Sequence, residues 1–207
     1  MALVEKEVLF LEKKAEEIRE TIITMLVAAG SGHTAGPLGM ADMFSAFYFH
    51  ILKHDPKNPE WDERDWLLLS NGHTVPVRYA AMAHAGYFPV SETSTLRKLG
   101  SRLQGHPERT RLPGLETTSG PLGEGLSQAA GIAYAFRMDG KKNHVYVVMG
   151  DGEQDEGNVW EAVMWVAKEK LSNLTAIIDR NNIQIDGMTE AVMPLESLSE
   201  KYRAFGW

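Results

Sequence analysis

The chain contains no cysteine and no apolar run long enough to cross a bilayer. Without cysteine it has no disulfide, no thiol nucleophile and no thiolate metal site, which fits a reducing compartment. A transmembrane helix needs about 20 consecutive, mostly apolar residues. The N-terminal segment, residues 4–29, is charged and follows the period of an amphipathic helix, unlike a signal peptide. We therefore expect a cytoplasmic protein that is not embedded in a membrane.

Positive charge is scarce as well, since 21 Lys and Arg stand against 28 Asp and Glu, a formal net charge of -7. This balance argues against nucleic acid or an anionic membrane surface as the main partner. A phosphorylated ligand must then be held by local groups, because the overall field repels it. With 207 residues, 43% of them hydrophobic, the chain can form one sizeable domain with its own core.

Two apolar runs are predicted to form neighbouring parallel strands, the first over residues 145–149 and the second over 174–178. Between them, Asn158 followed three residues later by Glu161 is typical of a helix start. Such a strand–helix–strand unit is right-handed, and both strands finish at the same sheet edge, where ligands of open α/β sheets bind. The pattern predicts an α/β fold with an open, mostly parallel sheet and helices on both faces.

The polar residues that follow these two strands predict a site for a metal ion and a diphosphate. Gly150-Asp151-Gly152 follows the first strand, and Asp179-Arg180-Asn181-Asn182 follows the second. Asp151 offers a carboxylate, and Asn181 or Asn182 offers an amide oxygen. Mg²⁺ prefers such hard oxygen ligands and completes its shell with substrate phosphates and water. The alternative is a solvated turn at the end of a strand.

Three of the seven histidines, His33, His73 and His106, directly follow a glycine. A glycine at that position suits a tight turn that exposes the imidazole at the end of an element. Taken singly, each is more typical of a structural or solvent-facing histidine, and only their combination with a metal–diphosphate site favours a function. HExxH and other close spacings of zinc ligands are absent.

A glycine-rich stretch from Thr118 to Gly125 precedes a predicted helix from Leu126 to Phe136. The stretch lacks the Lys-Ser/Thr pair of a phosphate-binding P-loop. It also lacks a ribose-binding acid about twenty residues further on, as a dinucleotide site requires. The residues alone leave two interpretations open, a close-packed loop before a helix or a loop that binds a ligand.

Six short motifs together resemble those of thiamine diphosphate enzymes and, more narrowly, of transketolases, in the same order and spacing. They are Ser31-Gly32-His33, Leu69-Ser70-Asn71-Gly72-His73, Gly105-His106-Pro107-Glu108, Gly120-Pro121-Leu122-Gly123, Gly150-Asp151-Gly152 and Asp179-Arg180-Asn181. The resemblance implies a thiamine diphosphate-binding fold with the cofactor at the carboxyl edge of the sheet. Residues 1–207 would form a single diphosphate-binding domain that is short at its C-terminal end.

The resemblance also implies roles for individual residues. Asp151, Asn181 and the main-chain carbonyl of Ile183 would bind Mg²⁺ or Ca²⁺. Gly152 and His73 would contact the diphosphate, Gly120 and Leu122 would line the cofactor ring, and Glu156 would join an acidic network at a subunit interface. His33 and His106 would face the donor sugar, hydrogen-bond its hydroxyls and move protons, so that His33, His73 and His106 form the expected catalytic set.

By the same resemblance, the reaction is transfer of a two-carbon ketol unit from a ketose phosphate to an aldose phosphate, as in the pentose phosphate pathway. Transketolases continue past Trp207 into a pyrimidine-binding domain and a C-terminal domain. We therefore expect a partner subunit that carries the pyrimidine-binding domain, in a homodimer or a heterotetramer. Two alternatives are an enzyme similar to 1-deoxyxylulose-5-phosphate synthase or another decarboxylating enzyme, and a cofactor-binding subunit without turnover.

Two positions depart from the family pattern. Thr34 stands where a proline usually follows the histidine of the first motif, which bears on the rigidity of that loop. Asn182 lies next to Asn181, so the side-chain amide of either residue is a candidate metal ligand.

Overall fold

The computed structural model describes residues 3–185 and 187–207. By its internal contacts the chain divides into two compact units. The first unit comprises Met1–Arg64 and His73–Thr118, and the second comprises Asp65–Gly72 and Ser119–Trp207. The expectation of a single domain over residues 1–207 stays a prediction.

The first unit is helical. Its helices are α1 (Glu5–Ala29), α2 (Ala35–Gly39), α3 (Ala41–Ala46) and α4 (Val75–Ala85), with a π-helical turn at Phe47–Ile51 and a 3-10 helix at Val90–Thr95. The predicted amphipathic helix over residues 4–29 is confirmed as α1, whose Ile18, Ile22 and Met25 are fully buried. This apolar face packs against α3 and α4. Burial of each such side chain stabilises the fold by about 1.5–3 kcal/mol.

A buried cluster of charges fixes the long segment that follows Thr95 in the first unit. The carboxylate of Glu116 is ion-paired with both Arg64 and Arg78, and all three side chains are buried. Arg78, on α4, also donates a hydrogen bond to the carbonyl of Gly114 over 3.1 Å. The end of the segment that carries His106 is thereby tied to α4.

The second unit contains the predicted parallel sheet. Its strands are β1 (Trp66–Leu69), β2 (Val145–Gly150) and β3 (Leu174–Asp179), in the order β1-β2-β3. Both pairings are parallel, and Gly150 pairs with Asp179, so that β2 and β3 finish side by side. The predicted strands and their common edge are confirmed.

Two helices, α5 (Glu124–Met138) and α6 (Gly157–Glu169), pack on this sheet through one apolar core. Val145, Val147 and Met149 point from β2 into that core, and Val148, on the opposite face, is also fully buried. The predicted start of α6 is wrong by two residues, since Glu156 rather than Asn158 precedes the helix. The side chain of Asn158 instead donates to the carbonyl of Gly123 over 3.1 Å.

The second unit ends in short elements beyond the sheet edge. They are β4 (Ile183–Gln184), β5 (Gly187–Met188), α7 (Thr189–Val192) and α8 (Leu198–Ala204), with β4 and β5 paired antiparallel. Asp186, between the two short strands, lies outside the described residues. Across residues 3–185 and 187–207, no helix has both the length and the apolarity that a membrane span requires.

Candidate functional site

The carboxylate of Asp151 lies at the joint ends of β2 and β3 and is only 2% exposed. Its Oδ1 accepts a hydrogen bond from the backbone N–H of Gly152 over 2.8 Å. Its Oδ2 accepts one from the backbone N–H of Asn182 over 2.7 Å and one from the hydroxyl of Thr189 over 3.1 Å. The carboxylate is therefore held in one orientation by the turn after β2, the turn after β3 and the start of α7.

The side chain of Arg180 forms an ion pair with this carboxylate. Its Nη1 donates to Oδ2 of Asp151 over 2.9 Å. Its Nη2 is ion-paired with Glu190 over 2.6 Å and with Glu196 over 3.0 Å. One guanidinium thus connects Asp151 to Glu190 on α7 and to Glu196 before α8, and it lowers the net negative charge around the site.

Of the other predicted metal ligands, Asn181 lies in the turn after β3 and Ile183 is the first residue of β4. The side-chain oxygen of Asn181 accepts from the N–H of Ile183 over 3.0 Å, and its amide nitrogen donates to Asp179 over 3.1 Å. Asn182 has a left-handed backbone, with φ of 69°, and meets Asp151 through its main chain. The structure brings Asp151 to this turn, whereas ligation by Asn181 and Ile183 stays a prediction.

The donor set at this edge consists of oxygen atoms, which suits a hard cation. A carboxylate, a side-chain amide and a main-chain carbonyl are ligands that Mg²⁺ and Ca²⁺ accept. Among the described residues, no group of three or more His, Cys, Asp and Glu is arranged to hold a metal. A cation at Asp151 would consequently depend on amide and carbonyl oxygens, and on oxygens of its ligand, to complete its shell.

The glycine loop, residues 120–125, is anchored by a second buried carboxylate. Oε1 of Glu153 accepts from the N–H of Gly123 over 2.7 Å and from the hydroxyl of Ser70, while Oε2 accepts from the N–H of Gly150 over 3.0 Å. Burial raises the pKa of Glu153, and the hydrogen bonds from Ser70, Gly123 and Gly150 act in the opposite direction. The loop is thus bound to the strand ends beside Asp151.

The remaining predicted cofactor contacts of the second unit lie around this loop. Leu122 is 40% exposed, so its side chain is available to a ligand, and Gly120 is half-buried. Glu156, the residue before α6, is exposed and packs closely against Gly123. Their predicted roles at the cofactor ring and in an acidic network stay predictions.

The first unit brings two of the three predicted histidines into contact. The rings of His33 and His73 have centroids 4.6 Å apart and planes tilted by 49°. Burial, together with the nearby charges of His33 and His106, lowers the pKa of His73 to about 4. Burial, Arg97 and His33 also lower the pKa of His106. His73 is therefore a neutral imidazole at pH 7, with one N–H donor and one acceptor nitrogen.

Arg97 lies between two of the Gly-His turns of the first unit. An added Cβ at Gly105 would lie 2.9 Å from its Nε, so the guanidinium lies directly against the backbone of Gly105. Its Nη1 donates to the hydroxyl of Ser31 over 3.3 Å. Arg97 itself has a left-handed backbone, with φ of 62°. The guanidinium places a fixed positive charge beside His106 and next to the turn that carries His33.

Four residues of these arrangements were not singled out from the sequence: Arg97, Glu153, Arg180 and Thr189. Arg180 lies inside one of the six motifs, and Glu153 directly follows Gly150-Asp151-Gly152. Proximity to a motif was therefore the one feature of the sequence that could have marked these two residues as part of the site. Arg97 lies outside all six motifs. Thr189 carried no signal, because its contact with Asp151 spans 38 residues of chain.

Comparison with known families gives one match over most of the chain. Residues 11–207 match the family described as transketolase, thiamine diphosphate binding domain. The chain is 44% identical over 197 residues to a 6-deoxy-6-sulfo-D-fructose transketolase subunit of Clostridium sp. (strain MSTE9), covering 95% of this chain and 72% of that protein. It is 42% identical over 197 residues to an apulose-4-phosphate transketolase subunit of Phocaeicola vulgatus, covering 95% and 70%.

Solved structures agree with the sequence relatives. The fold is similar to that of a crystallographic transketolase from Pichia stipitis in complex with a sugar phosphate, with a TM-score of 0.91 and 36% identity. That similarity covers 95% of this chain and 30% of the Pichia stipitis chain. The chain therefore spans about 70% of the two subunits and under a third of the longer protein.

Proposed function

The chain belongs to the transketolase family and carries its thiamine diphosphate-binding domain, and from this premise we propose that it forms the diphosphate-binding part of an enzyme that transfers a two-carbon ketol unit between sugars. The observation that carries the proposal is the fixed, buried carboxylate of Asp151 at the joint ends of β2 and β3. This is the edge at which open α/β sheets bind their ligands.

The groups around Asp151 fit a divalent cation with a diphosphate. We propose Asp151, Asn181 and the carbonyl of Ile183 as ligands of Mg²⁺ or Ca²⁺, in keeping with the oxygen donors at that edge. Gly152 would let the diphosphate approach the main chain closely. When bound, thiamine diphosphate supplies the carbanion stabilisation on which ketol transfer depends, and the protein supplies position and electrostatics.

The histidines of the first unit are proposed to act on the sugar. His33 and His106 are exposed, which leaves their imidazoles free to hydrogen-bond substrate hydroxyls and to accept or donate protons. His73 is half-buried and neutral, so its contribution to a bound diphosphate is one hydrogen bond rather than a charge. The positive charge of Arg97 beside His106 favours an anionic sugar over a neutral one.

We propose that activity requires a second chain with the pyrimidine-binding domain, in a homodimer or heterotetramer of paired subunits. Two of the relatives are themselves named as transketolase subunits. Without a second domain over the cofactor, its reactive carbon would face water and lose the low dielectric that strengthens electrostatic contacts. The chain alone should bind the cofactor weakly and turn over no substrate.

The test is reconstitution with the candidate pyrimidine-domain chain. Thiamine diphosphate is titrated with Mg²⁺ and with a chelator, and ketol transfer is assayed with each chain alone and with both. The donor panel includes a ketose phosphate, 6-deoxy-6-sulfo-D-fructose, apulose 4-phosphate and pyruvate. Mg²⁺-dependent binding and ketol transfer by the pair alone are expected. Thiamine diphosphate binding that does not depend on Mg²⁺, or turnover of pyruvate and of none of the ketoses, would overturn the proposal.

A further inference from the structure

Glu153 is a buried carboxylate that has no part in the proposed reaction. It is 2% exposed and lies in the 3-10 turn Gly152–Asp155. Its donors come from three separate stretches of the chain: Ser70 after β1, Gly123 in the glycine loop and Gly150 at the end of β2. A single side chain therefore joins the glycine loop to the ends of two strands.

The chemistry of these donors requires a carboxylate rather than an amide. All three are neutral groups, two backbone N–H donors and one hydroxyl, and they approach both oxygens of Glu153. A glutamine has one acceptor oxygen and an NH₂ group. In either orientation its NH₂ would face a backbone N–H, that of Gly150 or that of Gly123. One buried donor would then lose its partner, which is costly.

The connection extends to the far end of the loop through Ser70. Its hydroxyl donates to Glu153 and accepts from the N–H of Gly125 over 3.0 Å, at the start of α5. An added Cβ at Gly125 would lie 2.3 Å from the Cβ of Ser70, so the two backbones are in close contact. The loop is thus held at Gly123 directly and at Gly125 through Ser70.

We propose that Glu153 is a positioning residue that holds the glycine loop, residues 120–125, in the arrangement that binds thiamine diphosphate. The inference rests on the proposed function, because the loop carries Gly120 and Leu122, the expected contacts of the cofactor ring. Glu153 acts on the cofactor through Gly123 and Gly150. Its carboxylate fixes the distance between the loop and Asp151, because it binds Gly123 in the loop and Gly150, the residue before Asp151.

The test compares Glu153→Gln with Glu161→Gln, a matched change at an exposed position of α6 in the same unit. Amide hydrogen exchange of the full chain reports on the loop without any cofactor. We expect residues 119–126 of Glu153→Gln to exchange at least about tenfold faster, with β3 unchanged, because one buried donor is left unpaired. In the reconstituted assembly with Mg²⁺, thiamine diphosphate affinity should fall by at least about tenfold as well.

Wild-type exchange in the loop, or wild-type cofactor affinity, in Glu153→Gln would overturn the proposal while leaving the proposed function intact. Faster exchange across the sheet as well as the loop would assign Glu153 a general structural role instead and would also overturn it. A wild-type assembly that binds no thiamine diphosphate would overturn the proposed function itself. If Glu153→Gln does not fold, Ser70→Ala removes the connection to Gly125 and must give the same local change in exchange.

Discussion

Replacing Asp151 with asparagine should weaken both the fold and the binding of the cofactor. The substitution keeps the size of the side chain and removes its charge. With its amide oxygen in place of Oδ2, the asparagine still faces the donors Arg180, Asn182 and Thr189, while its NH₂ faces the N–H of Gly152. The shape of the site is retained, but the ion pair with Arg180 is lost and the hydrogen bonds to Asp151 no longer end on a charged group.

The expected loss of stability follows from these contacts. Hydrogen bonds to a charged group are worth about 1.5–3 kcal/mol and those to a neutral group about 0.5–1.5 kcal/mol, so each of three bonds loses about 1 kcal/mol. The side chain of Arg180 is 21% exposed and keeps Glu190 and Glu196 as partners, so its share is discounted for solvent screening. With about 1 kcal/mol more for the hydrogen bond from the N–H of Gly152, which is lost outright, we expect a total loss of about 3 to 4 kcal/mol in the free energy of unfolding.

Urea unfolding of the isolated chain measures this loss, and titration of the reconstituted assembly measures binding. Asp155→Asn is the matched control, because Asp155 is exposed and its carboxylate accepts a long hydrogen bond, 3.3 Å, from Gln184. It should change stability by no more than about 0.5 kcal/mol. Mg²⁺-dependent affinity for thiamine diphosphate should be lost in Asp151→Asn and retained in Asp155→Asn. An Asp151→Asn chain with wild-type stability and Mg²⁺-dependent affinity would refute the assignment.

The elements that could be predicted from the sequence are those set by local patterns. The period of apolar residues predicted α1, and two bounded apolar runs predicted β2 and β3. The parallel register followed from the crossover between them, and it brought Asp151 to the turn after β3 as expected. The start of α6 was wrong because Asn158 uses its side chain for Gly123, a contact that a local capping rule does not include.

The parts of the site that escaped prediction depend on contacts between distant stretches of the chain. Ser70 and Glu153 are 83 residues apart, and Arg180 and Asp151 are 29 apart. Neither pair leaves a periodic pattern, because each exists only once the sheet has formed. Glu153 was also hard to recognise because a buried carboxylate with neutral partners looks, in the sequence, the same as a solvated one.

Two further predictions concern the histidines of the first unit. Alanine at His33 or His106 should lower the rate of ketol transfer about 100-fold or more in the reconstituted assembly, the usual contribution of one acid–base group, and leave cofactor affinity intact. His50→Ala, away from the Gly-His turns, is the control. Normal turnover in both the His33 and the His106 variant would contradict these roles. The last prediction is a pH dependence of stability that His73 causes. Its pKa is about 4 in the folded chain against 6.5 ordinarily, so between these values the unfolded chain binds a proton that the folded chain does not. The contribution of His73 to stability is complete above pH 6.5 and is lost as the pH drops toward about 4. His73→Gln, which cannot take up that proton, should lose less stability over the same window. Urea unfolding of both proteins across this range measures the difference, and parallel pH profiles would show that burial beside His33 does not lower the pKa of His73.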